Sequence, residues 1–89
     1  MLKIKYHSQF KKDYKAALKS GHDKEDFIRI FTLLAKQKPL PQKYKDHQLT
    51  NSKHFKNMRE CHIKPDLLLI YKIEHDNLCL SLIRMQTSS

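Results

Sequence analysis

The sequence predicts an α+β fold, with two helices packed on one face of a mainly antiparallel four-stranded sheet in the order β-α-α-β-β-β. Three observations predict it. Leu2, Ile4 and Tyr6 alternate with Lys3 and Lys5, a period of two. Two stretches with apolar residues at helical spacing follow. After Pro41 and the polar stretch that follows it, the pattern returns to β-type runs. With 89 residues, 39% of them hydrophobic, the chain can build one small core, so residues 1–89 read as one domain.

Each element has its own signal. Ser8 is placed to cap the first helix, in which Phe10, Tyr14, Ala17 and Leu18 share a face. Gly21 closes that helix. Asp23 is the next cap, with Glu25 and Asp26 well placed against the helix dipole. Phe27, Ile28, Ile30, Phe31, Leu33 and Leu34 form the apolar side of the second helix, which Pro39 and Pro41 forbid from continuing. Residues 39–54, rich in Lys, Pro, Gln and Asn, read as irregular, and so long an irregular segment points to function. Residues 55–62 read as a weakly alternating strand ended by Pro65. Residues 67–73, Leu-Leu-Leu-Ile-Tyr-Lys-Ile, read as a central strand buried on both faces. Glu74-His75-Asp76-Asn77 is a polar turn, and Leu78, Leu80 and Leu82 alternate with Cys79, Ser81 and Ile83 in a last strand ending near Arg84.

Composition narrows the function. The chain carries 18 Lys and Arg against 9 Asp and Glu, a formal net charge of +9. Residues 36–64 concentrate this charge: Lys36, Lys38, Lys43, Lys45, Lys53, Lys56, Arg59 and Lys64 against only Asp46 and Glu60. Such a patch draws polyanions through counterion release, and nucleic acid fits best. A solvated basic surface and an acidic protein partner are the other readings, the latter compatible with the first. A single glycine leaves no Gly-rich phosphate loop and no dinucleotide fingerprint. No apolar run approaches the ~20 residues of a membrane span. Met-Leu-Lys-Ile-Lys-Tyr carries charges where a signal peptide needs apolar residues, so a cytoplasmic protein is expected. Cys61 and Cys79 are too few for a disulfide framework. Together with His62 and His75 they could be read as metal ligands, but the Cys-x-x-Cys knuckle that makes such a reading strong is missing. Buried thiols and unrelated histidines are expected, with no metal and no cofactor.

Four residues are placed to carry chemistry: His47, His62, Asp66 and Arg84. Cleaving RNA by attack of a 2′-hydroxyl needs a base for the hydroxyl proton, an acid for the leaving 5′-oxygen and cations for the charge growing on phosphorus. Histidine suits the proton transfers and arginine's planar fork suits the phosphate, so no metal is required. Each residue also has an ordinary reading. His47 could be solvated, His62 packed at a strand end, Asp66 a turn residue, and Arg84 paired with an acid such as Glu60. His7, His22, His54 and His75 read as surface residues.

The spelling adds a resemblance. Leu40-Pro41, Tyr44-Lys45-Asp46-His47-Gln48-Leu49, and Arg59-Glu60-Cys61-His62-Ile63-Lys64-Pro65-Asp66 leading into Leu67-Leu68-Leu69-Ile70-Tyr71 resemble the YafQ-like branch of the RelE/ParE toxin superfamily across nearly the whole chain. The resemblance implies a toxin of a type II toxin–antitoxin pair that enters the ribosomal A site and cuts mRNA. It implies the same β-α-α-β-β-β fold. It also implies a cognate antitoxin, usually with a ribbon-helix-helix DNA-binding half, so that DNA is reached only through the antitoxin. By resemblance, His47 and His62 match the family's loop and strand histidines, Asp66 its catalytic-site aspartate, and Arg84 the arginine on the scissile phosphate. Lys43, Lys45, Lys53, Lys56, Arg59 and Lys64 are the expected RNA contacts. No membrane partner is expected.

One departure stands out. After that arginine the family typically reads Gly, Thr or Ser, then His, with a short tail ending in Leu-Phe; here Arg84-Met85-Gln86-Thr87-Ser88-Ser89 follows. Ser88 stands where a catalytic histidine is expected. Serine cannot serve as an acid near neutral pH, and losing one general acid–base group costs ~10²–10⁴-fold in rate. A weak or inactive nuclease with an intact binding surface is therefore expected. The rival functions are a pure ribosome- and antitoxin-binding module acting as co-repressor, and a gyrase poison of the ParE kind. The set His47, His62 and Asp66 argues against the gyrase poison.

Overall fold

The computed structural model describes residues 1–49 and 57–87. The elements run β1 (Lys3–Tyr6), α1 (Ser8–Lys19), α2 (Lys24–Ala35), a 3-10 turn (Gln42–Tyr44), β2 (His47–Gln48), β3 (Arg59–Lys64), β4 (Leu67–Glu74) and β5 (Cys79–Thr87). The α+β architecture and the pair of helices on one face are as the sequence predicts. The sheet has five strands rather than four, in the order β1-β5-β4-β3-β2. It is mixed, because β1 runs parallel to β5 while the other pairs are antiparallel.

The extra strand lies inside the segment read as irregular. His47 pairs with Glu60 and Gln48 with Arg59. Two residues cannot display a period, so β2 leaves no mark on the hydrophobic pattern. β5 also outruns its expected end at Arg84. Tyr71 sits opposite Leu82 but Ile70 opposite Arg84, so Ile83 is a bulge residue. The bulge reverses parity: Leu80 and Leu82 face the core on even numbers, Met85 on an odd one. Alternation read straight through therefore stops at the bulge.

The helix termini follow local chemistry. Ser8 is the first helical residue and His7 the N-cap, with no side-chain capping bond, so Ser8 does not cap. Asp23 does cap α2, accepting the Glu25 N–H at 3.0 Å. Both C-termini form Schellman motifs. At α1, Gly21 (φ 98°) donates to the Leu18 carbonyl and His22 to the Ala17 carbonyl. At α2, Gln37 (φ 56°) takes the glycine's place, with Gln37 and Lys38 donating to Leu34 and Leu33.

The core lies between the helices and the sheet. Phe10 stacks on Tyr14 at 5.6 Å and meets Phe31 edge-on at 5.7 Å. These rings cover Cys61, Ile63, Leu67, Leu69, Tyr71, Leu80, Leu82 and Met85 from the strands. Ile28 is 47% exposed, because it lies one step round α2 from the buried Phe27–Ile30–Phe31–Leu34 stripe. β4 is central as expected, and Ile70 is buried on the face away from this core. Leu78 is left exposed in the turn before β5. His7 and His22 are half-buried rather than on the surface, and His54 lies outside the described residues.

Candidate active site

Strand register builds the site. Glu60 and His62 alternate along β3 with Cys61 and Ile63, which face the helix-side core. Glu60 and His62 therefore stand on the opposite, open face. One row across that face runs His47, Glu60, Ile70, Arg84; the next runs His62, Leu68, Gln86. His62 and Arg84 are thus two strands and one row apart, about 10 Å in the hydrogen-bonding direction and ~7 Å along the strands. Asp66 is exposed in the β3–β4 turn and makes no ion pair with His62 among the described residues.

His47 is held at both ring nitrogens. Nδ1 lies 2.7 Å from the Lys45 carbonyl oxygen, and Nε2 lies 3.5 Å from Glu60 Oε1. Lys45 adopts φ 47°, the left-handed conformation that ends the 3-10 turn just before β2. The sequence offers Glu60 only as a partner for Arg84, because its meeting with His47 depends on a register that only the fold supplies.

Beneath His47, Asp46 is clamped. It accepts a hydrogen bond from the Tyr71 hydroxyl and two from Arg59, Nη2 to Oδ2 at 3.1 Å and Nε to Oδ1 at 3.4 Å. The hydrogen bond to Asp46 raises the Arg59 pKa, and burial, with Asp46 second, raises that of Tyr71. Arg59 is therefore paired with Asp46 while its side chain stays 39% exposed.

The remaining predicted cations divide. Lys43 and Lys45 are exposed, with Lys43 Nζ 5.1 Å from the centre of the Tyr44 ring. Lys64 Nζ lies 2.7 Å from Asp26 Oδ2, and this bond lowers the Asp26 pKa and raises that of Lys64. Lys43, Lys45, His62 and Lys64 line one cavity of about 390 Å³, which also takes in Arg29 and Asp26 from α2. Lys53, Lys56 and Ser88 lie outside the described residues.

Arg84 pairs with Asp13 of α1, not with Glu60. The separation is 4.0 Å from Nε to Oδ2, and Nε is buried without a hydrogen-bond partner. The same Asp13 oxygen accepts the Met85 N–H at 2.9 Å, and Asp13 Oδ1 accepts from Gln9 Nε2 at 2.9 Å. Asp13 therefore staples α1 to the open edge of β5 and sets a counter-charge 4.0 Å from Arg84 Nε.

The four residues weighed as metal ligands are not brought together. Cys61 faces the helix-side core, His62 the opposite face, and His75 the β4–β5 turn, while Cys79 lies across from Glu74. Burial pushes the Cys61 thiol up to about 12. Among the described residues no group of three or more His, Cys, Asp or Glu is placed to hold a metal ion. Nor is any helix among them long and apolar enough to cross a membrane.

Comparison with known proteins gives four likenesses. The family model described as "Bacterial toxin of type II toxin-antitoxin system, YafQ" matches residues 2–89. The mRNA interferase toxin YafQ of Escherichia coli (strain B / BL21-DE3) is 44% identical over 71 residues, covering 79% of this chain and 75% of the relative. Among solved structures, a metal-bound toxin from Helicobacter pylori superposes with a TM-score of 0.91 at 41% identity, covering 98% of this chain and 94% of that one. The toxin in the Escherichia coli DinJ-YafQ complex superposes with a TM-score of 0.83 at 39% identity, covering 98% and 93%.

Proposed function

This chain belongs to the YafQ family of bacterial toxins of type II toxin–antitoxin systems, and from that premise we propose that it is an endoribonuclease that cleaves mRNA on the ribosome without a metal ion. The observation that carries the reading is one open sheet face holding the His47–Glu60 pair, His62 and Arg84. Arg84, with the Asp13 carboxylate 4.0 Å from its Nε, offers its guanidinium to the scissile phosphate. His62 carries one proton transfer, and His47 and Asp66 assist. Lys43, Lys45 and Lys64 around the adjoining cavity hold the flanking RNA, with Lys53 and Lys56 as further contacts.

An antitoxin silences the protein, as the DinJ-YafQ complex of a relative suggests. A ribbon-helix-helix antitoxin with acidic segments would compete with RNA for the same charged face and would supply the contact to DNA. The cytoplasm is where such a toxin meets its ribosomes.

Ser88 favours a second reading, a toxin that binds but scarcely cuts, because serine replaces a proton donor. Primer extension on mRNA in programmed 70S ribosomes, with this chain beside its Ser88→His variant, separates the readings. Cleavage by the variant alone means an attenuated nuclease. Cleavage by both means that His62, His47, Asp66 and Arg84 suffice. Cleavage by neither leaves the binding module.

A further inference from the structure

We propose that the cavity between α2, the 3-10 turn and the end of β3 is a base-reading pocket, which takes a guanine from the nucleotide next to the scissile phosphate. Asp26 accepts from the guanine N1–H and 2-amino group, and Lys64 donates to its O6. In placing the base beside the scissile phosphate, the inference rests on the reading of the chain as a nuclease acting at His62. β2 pairs only with Arg59 and Glu60, so from Cys61 onward β3 has no strand partner on that side among the described residues. α2 and the 3-10 turn line the gap that this leaves, a cavity of about 390 Å³, within the ~300–1,000 Å³ of small-molecule sites. His62 lies on its wall. A group seated there is therefore next to the proposed proton transfer.

The walls suit a base rather than a phosphate. Ile30, Ile63 and Pro65 are apolar, and Tyr44 adds an aromatic ring, a surface on which bases stack. The polar part is not uniformly positive. Asp26 stands in it with its side chain 26% exposed, and a carboxylate repels a phosphate. Two contacts hold that carboxylate in place: Lys64 Nζ lies 2.7 Å from Oδ2 and Arg29 Nη1 lies 3.3 Å from Oδ1. Each carboxylate oxygen has a second lone pair for a further donor, and the Lys64 ammonium has two further N–H bonds. The helix dipole favours an acid in the first turn of α2. It does not explain why this acid meets Lys64 of β3 at a cavity.

The order of the polar groups selects guanine. Single-stranded RNA is read by stacking and by hydrogen bonds to the Watson–Crick and Hoogsteen edges of its bases. The Watson–Crick edge of guanine carries the O6 acceptor and, beside it, two donors, N1–H and the 2-amino group. A carboxylate can take both donors while the ammonium bonded to it takes O6. Adenine and cytosine each set one amino group beside a ring-nitrogen acceptor on that edge, and uracil sets one donor between two acceptors. Each of these gives the carboxylate a single donor and leaves part of its capacity unused, which is the basis of discrimination by buried polar groups. Lys43 and Lys45, also on the wall, remain for the phosphates on either side of the base.

The test measures cleavage by the Ser88→His variant on programmed 70S ribosomes, with each position around the cut set in turn to guanine, hypoxanthine, adenine, uracil or cytosine. At one position a message with guanine is expected to be cut roughly 5- to 100-fold faster than one with adenine, the range for a bidentate base contact. Hypoxanthine, which lacks the 2-amino group, should fall between them. Asp26→Ala added to this variant should bring the guanine-to-adenine ratio to within about threefold of one. Glu25→Ala, which removes an exposed acid next to Asp26 but outside the cavity lining, should leave the ratio unchanged. Circular dichroism checks the fold of each. No guanine preference at any position overturns the inference. So does a preference that survives Asp26→Ala, whether or not the rate falls, and so does one lost equally in Glu25→Ala. If no message is cut, the nuclease reading fails, and equilibrium binding decides the pocket. Uncleavable 2′-O-methyl oligonucleotides differing only in guanine against adenine are then compared on the same two variants. Tighter binding of guanine that Asp26→Ala abolishes supports the pocket, and equal affinities overturn it.

Discussion

Asp46 and Tyr71, 25 residues apart in the chain, are joined by a hydrogen bond from the phenol to the carboxylate where β2 meets the sheet. Arg59 completes the cluster by bonding to both. β2 is only two residues long and has little pairing of its own. This clamp therefore sets the path of the chain that presents His47. Tyr71→Phe removes the hydroxyl and leaves the ring volume. The expected result is a loss of about 1–2 kcal/mol in denaturant-measured stability, and faster amide exchange at His47 and Gln48 than at β4. Unchanged exchange in β2 would mean that the clamp does not hold the strand.

The Asp13 staple makes a sharper prediction because two variants differ. Asp13→Ala leaves the Met85 N–H without its acceptor and Arg84 Nε without its counter-charge. A cost of about 1–3 kcal/mol is expected by urea unfolding. Asp13→Asn keeps an oxygen for the Met85 N–H and loses the charge and the acceptor of the exposed Gln9 amide, so most of that stability should return. Equal destabilisation by the two would assign the effect to the Arg84 contact rather than to the backbone bond.

The fold was legible where a pattern repeats several times. The helix faces around Phe10 and Phe27, and the run of β4, each contain enough residues to show their period. What escaped reading was short or interrupted: β2 has no room for a period, and the bulge at Ile83 reverses the parity of β5. The site was legible as residue types but not as partners. His47, His62 and Arg84 drew attention because their chemistry suits phosphoryl transfer. Glu60 and Asp13 did not, since their contacts depend on strand register and on the docking of α1. Arg59 looked like a free cation because its partner Asp46 is 13 residues away.

The two Schellman motifs predict substitutions of opposite sign. Gln37 holds a left-handed conformation (φ 56°) that costs an L-residue free energy and glycine little. Gln37→Gly should raise stability by about 0.5–1 kcal/mol, the gain being limited by the greater freedom of glycine in the unfolded chain. Gly21→Ala should lower it by about 1 kcal/mol. No atom lies within 4 Å of the position an added Cβ would take, so this cost is purely conformational. Thermal melts of the two single variants check both signs.

Acid stability should carry the signature of Asp26. Its hydrogen bond to Lys64 lowers the carboxyl pKa in the folded protein. A lowered folded-state pKa gives stability that is fully present above the unfolded value, ~3.9, and is lost as pH falls through the folded one. Wild-type stability should therefore fall as pH drops below about 4, and Asp26→Asn should flatten that part of the profile. Salt should shrink the difference, because the pair is solvent-accessible.

The strongest test of the site couples His47 to Glu60. If Glu60 positions the imidazole, the two act as a unit and their losses do not add. In the Ser88→His background, which restores a proton donor, Glu60→Gln should lower ribosomal cleavage by roughly 10-fold and His47→Ala by roughly 10²-fold, within the range for a general acid–base group. The double variant should be no slower than His47→Ala alone, because without the ring Glu60 has nothing to hold. Fully additive losses would give Glu60 a role of its own at the phosphate. A Glu60→Gln variant as fast as its parent would leave the 3.5 Å contact without catalytic consequence. Ribosome affinity measured in parallel keeps the comparison on chemistry, since Glu60 is an acid in a basic face and its loss should strengthen RNA binding, if it changes it at all.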